Sequence, residues 1–229
     1  MTMTQQIKAV VYDFGGVLLS YEGVMEKWVA MSRSLGLPDD AVHSESVGIE
    51  FSQWLGPDRS LFLGTLTVDD LEGGLFLQYL KHKVGEYGNK LTDNVVIKPF
   101  TECLRGENVK IHKNMQKTVE ILHKKGFKTA MLTNNMFLDK EHKETRLPCD
   151  LTHFDEVVES CLEHLMKPDA RFYHLVEKRL GVKPEEIVFL DDLHENIEAA
   201  EKLGWNTILV EDIEKAIHEL EGFTKVKLI

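Results

Sequence analysis

Hydrophobic positions along the chain follow two patterns. Five short runs are almost continuously apolar, at residues 7–12, 128–132, 154–158, 186–190 and 206–210. Each stops abruptly in polar residues: Asp13, then Thr133-Asn134-Asn135, Glu159-Ser160, Asp191-Asp192 and Glu211-Asp212. Short runs rich in β-branched and aromatic residues predict strands covered on both faces, each delivering its carboxyl end into a polar turn. Between them the spacing changes to that of a helix: Met115, Val119 and Leu122 before Gly126, Phe172, Leu175 and Val176 before Gly181, and Ile197, Ala200 and Leu203 before Gly204. Alternation of strand and helix over 109–229 predicts right-handed crossovers and a parallel sheet, an α/β core.

The interval 20–108 reads differently. Met25, Trp28, Val29, Trp54, Leu61, Phe62, Leu63 and Phe76 recur with helical spacing, broken by Gly36, Pro38, Gly56 and Pro57. The expected organisation is therefore a core of 1–19 and 109–229 with a helical cap of 20–108, inserted just after the first strand's turn. Its aromatic residues either form the cap's own core or line an apolar entry path.

Charge narrows the partners. Twenty-seven basic residues against 38 acidic ones give a net charge of −11, which disfavours nucleic acid and anionic membrane surfaces. Cys103, Cys149 and Cys161 lack paired or metal-finger spacing, which predicts reduced thiols and a cytoplasmic setting. No apolar run is long enough to span a bilayer, and the first residues lack the basic flank of a targeting segment, so a soluble, untargeted chain is expected. Monomer and homodimer are both compatible with this pattern.

Ligands of an open parallel sheet bind at the carboxyl ends of its strands. Asp13, Thr133, Asp191 and Asp192 fall there. Each aspartate singly has a plain alternative as a helix cap or turn residue. Gathered at one edge, three carboxylates repel unless a cation sits among them or some are protonated, and a hard divalent ion such as Mg2+ is the simplest relief. Asp13 and Asp192 are the expected direct ligands, the Gly15 carbonyl a backbone ligand, and Asp191 a direct or supporting one. The Thr133 hydroxyl and Asn134 supply hydrogen-bond donors. Lys167-Pro168-Asp169 opens a helix with Pro168 in its first turn, and Lys167 supplies a point charge for an oxyanion. A carboxylate nucleophile, a divalent cation, a hydroxyl and a lysine suit phosphoryl transfer through an aspartyl-phosphate.

These motifs in this order resemble the haloacid dehalogenase superfamily. Asp13 with its glycines resembles the first motif, Leu132-Thr133-Asn134 the second, Lys167-Pro168 the third, and Asp191-Asp192 with Asn196 the fourth. The stretch from Thr129 to Leu209 also resembles the phosphatase domain of soluble epoxide hydrolases and a similar domain in a multidomain acyl-CoA dehydrogenase. The resemblance implies a Rossmann-like core, a helical cap, magnesium dependence and Asp13 as nucleophile. It also exposes a departure. Phosphatases of this superfamily usually carry a second aspartate two positions after the nucleophile as general acid and base, and this chain has Gly15. The expected activity is hydrolysis of a small phosphorylated metabolite, weak or selective for sugar, aryl or lipid phosphates, with His194 a candidate substitute proton donor. The alternatives are a phosphate-binding or interaction module without turnover, and a 2-haloacid dehalogenase. The adjacent Asp191-Asp192 pair argues against the dehalogenase, because a halide leaving group has no need of a divalent ion.

Overall fold

A computed structural model describes residues 6–22, 24–39, 45–83, 91, 97–98, 101 and 110–229. Cys103 and the expected 108/109 boundary lie outside the described residues, as does the side chain of Met25.

Five strands form the main sheet: β1 Ala9–Tyr12, β2 Lys128–Thr133, β3 Glu156–Glu159, β4 Ile187–Asp191 and β5 Asn206–Leu209. They are all parallel, in the order β3-β2-β1-β4-β5. This order reverses direction at β1, and such a switch point opens a crevice at the carboxyl ends of the two strands flanking it. The helices of this unit are α1 Lys113–Lys124, α2 Ala170–Leu180, α3 His194–Lys202 and α4 Ile213–Thr224.

Every residue of β1 and β4 is buried, as the continuous apolar runs require. On one face Ala9, Val11, Ala130, Leu132, Ile187 and Phe189 pack with residues of α2 and α3 into a single cluster. Tyr173, Phe189 and Trp205 meet edge to face within it, at centroid separations of 5.4–5.9 Å. Truncating a buried aromatic in such a cluster typically costs about 3–5 kcal/mol, so the strands rest on packing that is costly to disrupt.

Three details differ from the expectation. Helix α4 was not foreseen, although Ile213, Ala216, Ile217 and Leu220 have helical spacing and Asp212 caps its start by accepting from Lys215 N at 2.9 Å. Pro168 stands ahead of α2 rather than in its first turn, because Asp169 is the N-cap and accepts from Arg171 N at 2.9 Å; the Lys167–Pro168 peptide is cis. The connection from β2 to β3 carries no helix.

Contacts divide the chain into two compact units, one of 1–20, 111–134 and 147–229, the other of 21–110 and 135–146. The second unit is helical where described, with Val24–Ser34, Glu45–Leu55 and Phe76–Lys83 as its longer helices. Phe51, Phe76, Tyr79 and Leu80 form its core, with Trp28 and Trp54 packed against them. These aromatics are thus internal packing of the unit, whereas Phe62 is exposed. Residues 135–146 join this unit through a bridge between Phe137 and Thr67 and through Met136 and Leu138, which pack with Val68.

Candidate active site at the sheet edge

Strand alternation brings the site together. In register, Ala9 pairs with Ile187 and Val11 with Phe189 across β1 and β4, and the next step along each strand is Asp13 and Asp191. The ladder continues that far, since Asp13 N donates to Leu190 O at 2.9 Å. Two aspartates far apart in the chain therefore stand side by side above the packed Ala9–Val11–Phe189 face. Asp192 completes the group, and one carboxylate oxygen from each of Asp13, Asp191 and Asp192 lies within 4.8 Å of the others.

Lys167 neutralises part of this charge. Its Nζ donates to Asp13 Oδ1 at 2.9 Å and to Asp191 Oδ2 at 2.6 Å, with the side chain only 1% exposed. The lysine expected at the edge of the sheet is thus one of the most deeply buried charges in the described chain. Its backbone is clamped by Asn134, whose Oδ1 accepts from Lys167 N at 2.9 Å and whose Nδ2 donates to Lys167 O at 3.1 Å. Asn134 was expected to meet substrate; the structure directs both ends of its amide to the main chain of the loop that carries Lys167. Thr133 is buried at the end of β2, in register with Glu159 of β3.

Asp191 is saturated. Besides Lys167, its Oδ1 accepts from Leu193 N and Asn196 Nδ2, both at 2.9 Å, and its Oδ2 from Asn196 Nδ2 at 3.1 Å. Asn196 is held in turn by Tyr173, whose hydroxyl donates to Asn196 O at 3.0 Å. A carboxylate offers about four acceptor positions, so Asp191 in this arrangement is an anchor for Lys167 more than a free ligand. Asp13 Oδ1 accepts from Phe14 N at 2.6 Å as well as from Lys167, so these two donors engage one oxygen of Asp13, whereas Asp191 is engaged at both.

Titration follows from burial. Burial pushes the Asp13 carboxyl up to about 7, with the Lys167 charge opposing and the Asp191 charge adding to the rise. Burial and the charge of Asp191 push Asp192 up to about 6. Burial disfavours the Lys167 ammonium, but Asp13 and Asp191 outweigh it and hold the ammonium above its ordinary range. The cluster is short of positive charge, and the all-oxygen donor set of Asp13 and Asp192, with a backbone carbonyl in the adjoining loop, fits a hard divalent cation. His194, the first residue of α3, is exposed to solvent.

The profile of haloacid dehalogenase-like hydrolases matches residues 7–204, the whole span that contains all four motifs. The chain belongs to this hydrolase family. Among curated relatives of the hydrolase, bifunctional epoxide hydrolase 2 of Sus scrofa is 32% identical over 241 residues, covering 97% of this chain and 40% of that protein. The chain thus spans well under half the length of that relative. A phosphatase of Mycobacterium tuberculosis is 28% identical over 207 residues, with 90% of this chain and 88% of that protein covered. Among solved structures, a HAD family enzyme of Bacteroides thetaiotaomicron in complex with magnesium and inorganic phosphate aligns with a TM-score of 0.57 at 18% identity, over 90% of this chain and 96% of that one. A structure described as a dehalogenase aligns with a TM-score of 0.60 at 19% identity, over 96% of this chain and 98% of that one. At these identities the structural likeness concerns the fold. Among the described residues no helix is long and apolar enough to cross a membrane.

Sequence reasoning passed over Gly16, the second glycine after Asp13. Its backbone has φ +69°, and Asp192 lies directly against it. The Gly-Gly pair was the available signal; which of the two glycines was spatially constrained was not.

Proposed function

We propose that this hydrolase is a magnesium-dependent phosphomonoesterase that works through an aspartyl-phosphate on Asp13. The observation that carries the proposal is the convergence of Asp13, Asp191 and Asp192 within 4.8 Å around a buried Lys167. Asp13, Asp192 and the Gly15 carbonyl would hold the cation, with Asp191 in support. When bound, magnesium supplies positive charge that lets an anionic nucleophile approach an anionic phosphate.

An oxygen of the Asp13 carboxylate attacks phosphorus, the bond from phosphorus to the ester oxygen breaks, and the electron pair leaves with that oxygen. Lys167, fixed by Asp191 and by the Asn134 clamp, keeps the carboxylate oriented and offers positive charge to the phosphoryl oxygens. Thr133 supplies a hydroxyl donor to the same oxygens. Water then attacks phosphorus, and the bond from phosphorus to the Asp13 oxygen breaks with its electron pair returning to the carboxylate. The water gives up a proton to solvent, where the departed alkoxide or phenoxide takes one up, so that inorganic phosphate and the alcohol leave and Asp13 is regenerated.

Gly15 shapes the substrate range. Without an acid at this position, leaving groups that depart readily as anions are favoured, so aryl and sugar anomeric phosphates should turn over better than simple alkyl phosphates. A relative described as a phosphatase supports this reading. The neighbour described as a dehalogenase keeps the 2-haloacid reaction as the second possibility, and the carboxylate cluster weighs against it, since halide departure gives no reason to bury adjacent acids. A phosphate-ester screen with and without magnesium, run beside an Asp13→Asn variant, tests the proposal. Magnesium-dependent phosphate release that the variant lacks is the expected result. Chloride release from 2-chloropropionate without magnesium, with no phosphate release from any ester, would overturn it.

A further inference from the structure

Gly36, Gly56, Gly74, Gly126 and Gly181 all have positive φ, and a Cβ placed on any of them would meet nothing within 4 Å. At those positions glycine is required only by the backbone conformation. Gly16 also has positive φ, at +69°, but its surroundings are different. A Cβ there would lie 2.2 Å from Asp192 Oδ2, 2.4 Å from Asp192 Cγ and 2.9 Å from Asp192 Cβ. The first two atoms could swing away with the side chain. The third is fixed to the backbone at the end of β4, so relief would require the β1 loop and the β4 loop to separate.

We infer that Gly16 is a positioning residue for Asp192: the missing side chain is the space in which the Asp192 carboxylate is held beside Asp13. Two demands meet at this one glycine. The left-handed backbone could be met by asparagine, which visits that region more readily than other residues with a side chain. The close approach could not, because any Cβ occupies the place of the carboxylate. Asp191 has its oxygens taken by Lys167, Asn196 and Leu193, so Asp192 is the neighbouring acid with room for a cation, and Gly16 sets where that acid stands.

The coupling is tested first without metal. Denaturant unfolding of Gly16→Ala, Asp192→Gly and the double variant forms a cycle in magnesium-free buffer. Gly16→Ala is expected to lower the midpoint clearly in the parent protein and much less in the Asp192→Gly background. Additive effects would overturn the inference. If Gly16→Ala does not fold at all, the double variant should recover folding, and its failure to do so would count equally against the inference. The second test rests on the magnesium reading: Gly16→Asn, which tolerates the left-handed backbone, is expected to bind magnesium at least about tenfold more weakly than the parent by calorimetry. Parent-like affinity would overturn the role of the contact. If the parent protein itself binds no magnesium, the proposed function fails while the metal-free cycle still decides the role of Gly16.

Discussion

At the amino ends of the strands, Lys8 pairs with Glu186 at 2.6 Å and Lys128 with Asp155 at 3.5 Å, and both lysines are more than half exposed. At the carboxyl ends of the same sheet, Lys167 pairs with Asp13 at 2.9 Å and Asp191 at 2.6 Å, and is 1% exposed. The residue types and distances are alike; the surroundings differ. An exposed pair is screened by water and contributes roughly 0–1 kcal/mol. A buried group of two acids and one base, with a third acid beside it, carries unbalanced charge at a desolvation cost that a packed core alone gives no reason to bear. The contrast separates the two ends of the sheet: the exposed pairs at one end add little, and the buried group at the other concentrates charge where the site is proposed.

The largest effect should come from the proposed nucleophile. Asp13→Asn is expected to lower phosphate release by about a thousandfold or more, with an unfolding midpoint equal to or above that of the parent, since the change removes a buried charge. A variant that keeps activity would remove Asp13 from the chemistry. Next, Lys167→Met should destabilise the metal-free protein by about 3–5 kcal/mol, because it strands two acids without their base, whereas Lys8→Met should stay within about 1 kcal/mol. Equal losses in denaturant melts would erase the distinction between the two ends.

Gly15 sharpens the comparison inside the active loop. Unlike Gly16, its backbone is outside the left-handed region, so an aspartate can be placed there without that strain. Gly15→Asp is expected to raise kcat on an alkyl phosphate about tenfold or more and to change aryl phosphate turnover much less. A uniform change across both esters would show that leaving-group protonation is not what Gly15 lacks.

The pH dependence is smaller and has a definite sign. Asp13 and Asp192 are raised to about 7 and about 6 in the folded chain, so between roughly pH 4 and 7 the folded state holds protons that the unfolded state has released. Their contribution to metal-free stability therefore falls as pH rises through this window. Magnesium requires the deprotonated carboxylates, so the rise in melting temperature on adding it should be larger at pH 8 than at pH 5.5. The same rise at both values would place the ion elsewhere.

Much of this edge was legible in the sequence because the apolar runs stop so sharply. The run before Asp13 and the run before Asp191 are both buried throughout their strands, and a buried strand that ends in an acid must deliver that acid to the sheet's edge. What could not be read depends on register between distant segments. Asn134 closing on the Lys167 backbone, Asp191 being filled by Asn196 and Leu193, and Asp192 seated against Gly16 are facts about which atoms meet, and spacing along the chain carries no trace of them. Residues 135–146 fell inside the expected core of 109–229, yet they group with the helical unit, where Phe137 bridges to Thr67 and Met136 and Leu138 pack with Val68. In the helical unit the aromatic spacing left a core and an apolar entry path both open; Phe76, Trp28 and Trp54 turn out to pack in a core, together with Phe51 and Tyr79.

Calorimetric titration of magnesium into the metal-free protein at pH 8, repeated with Asp192→Asn, addresses the central claim most directly. The parent protein should bind one ion, and the variant should bind it at least about tenfold more weakly. Heats of dilution alone from the parent, or identical isotherms from both proteins, would contradict the assignment of the carboxylate cluster as a magnesium site.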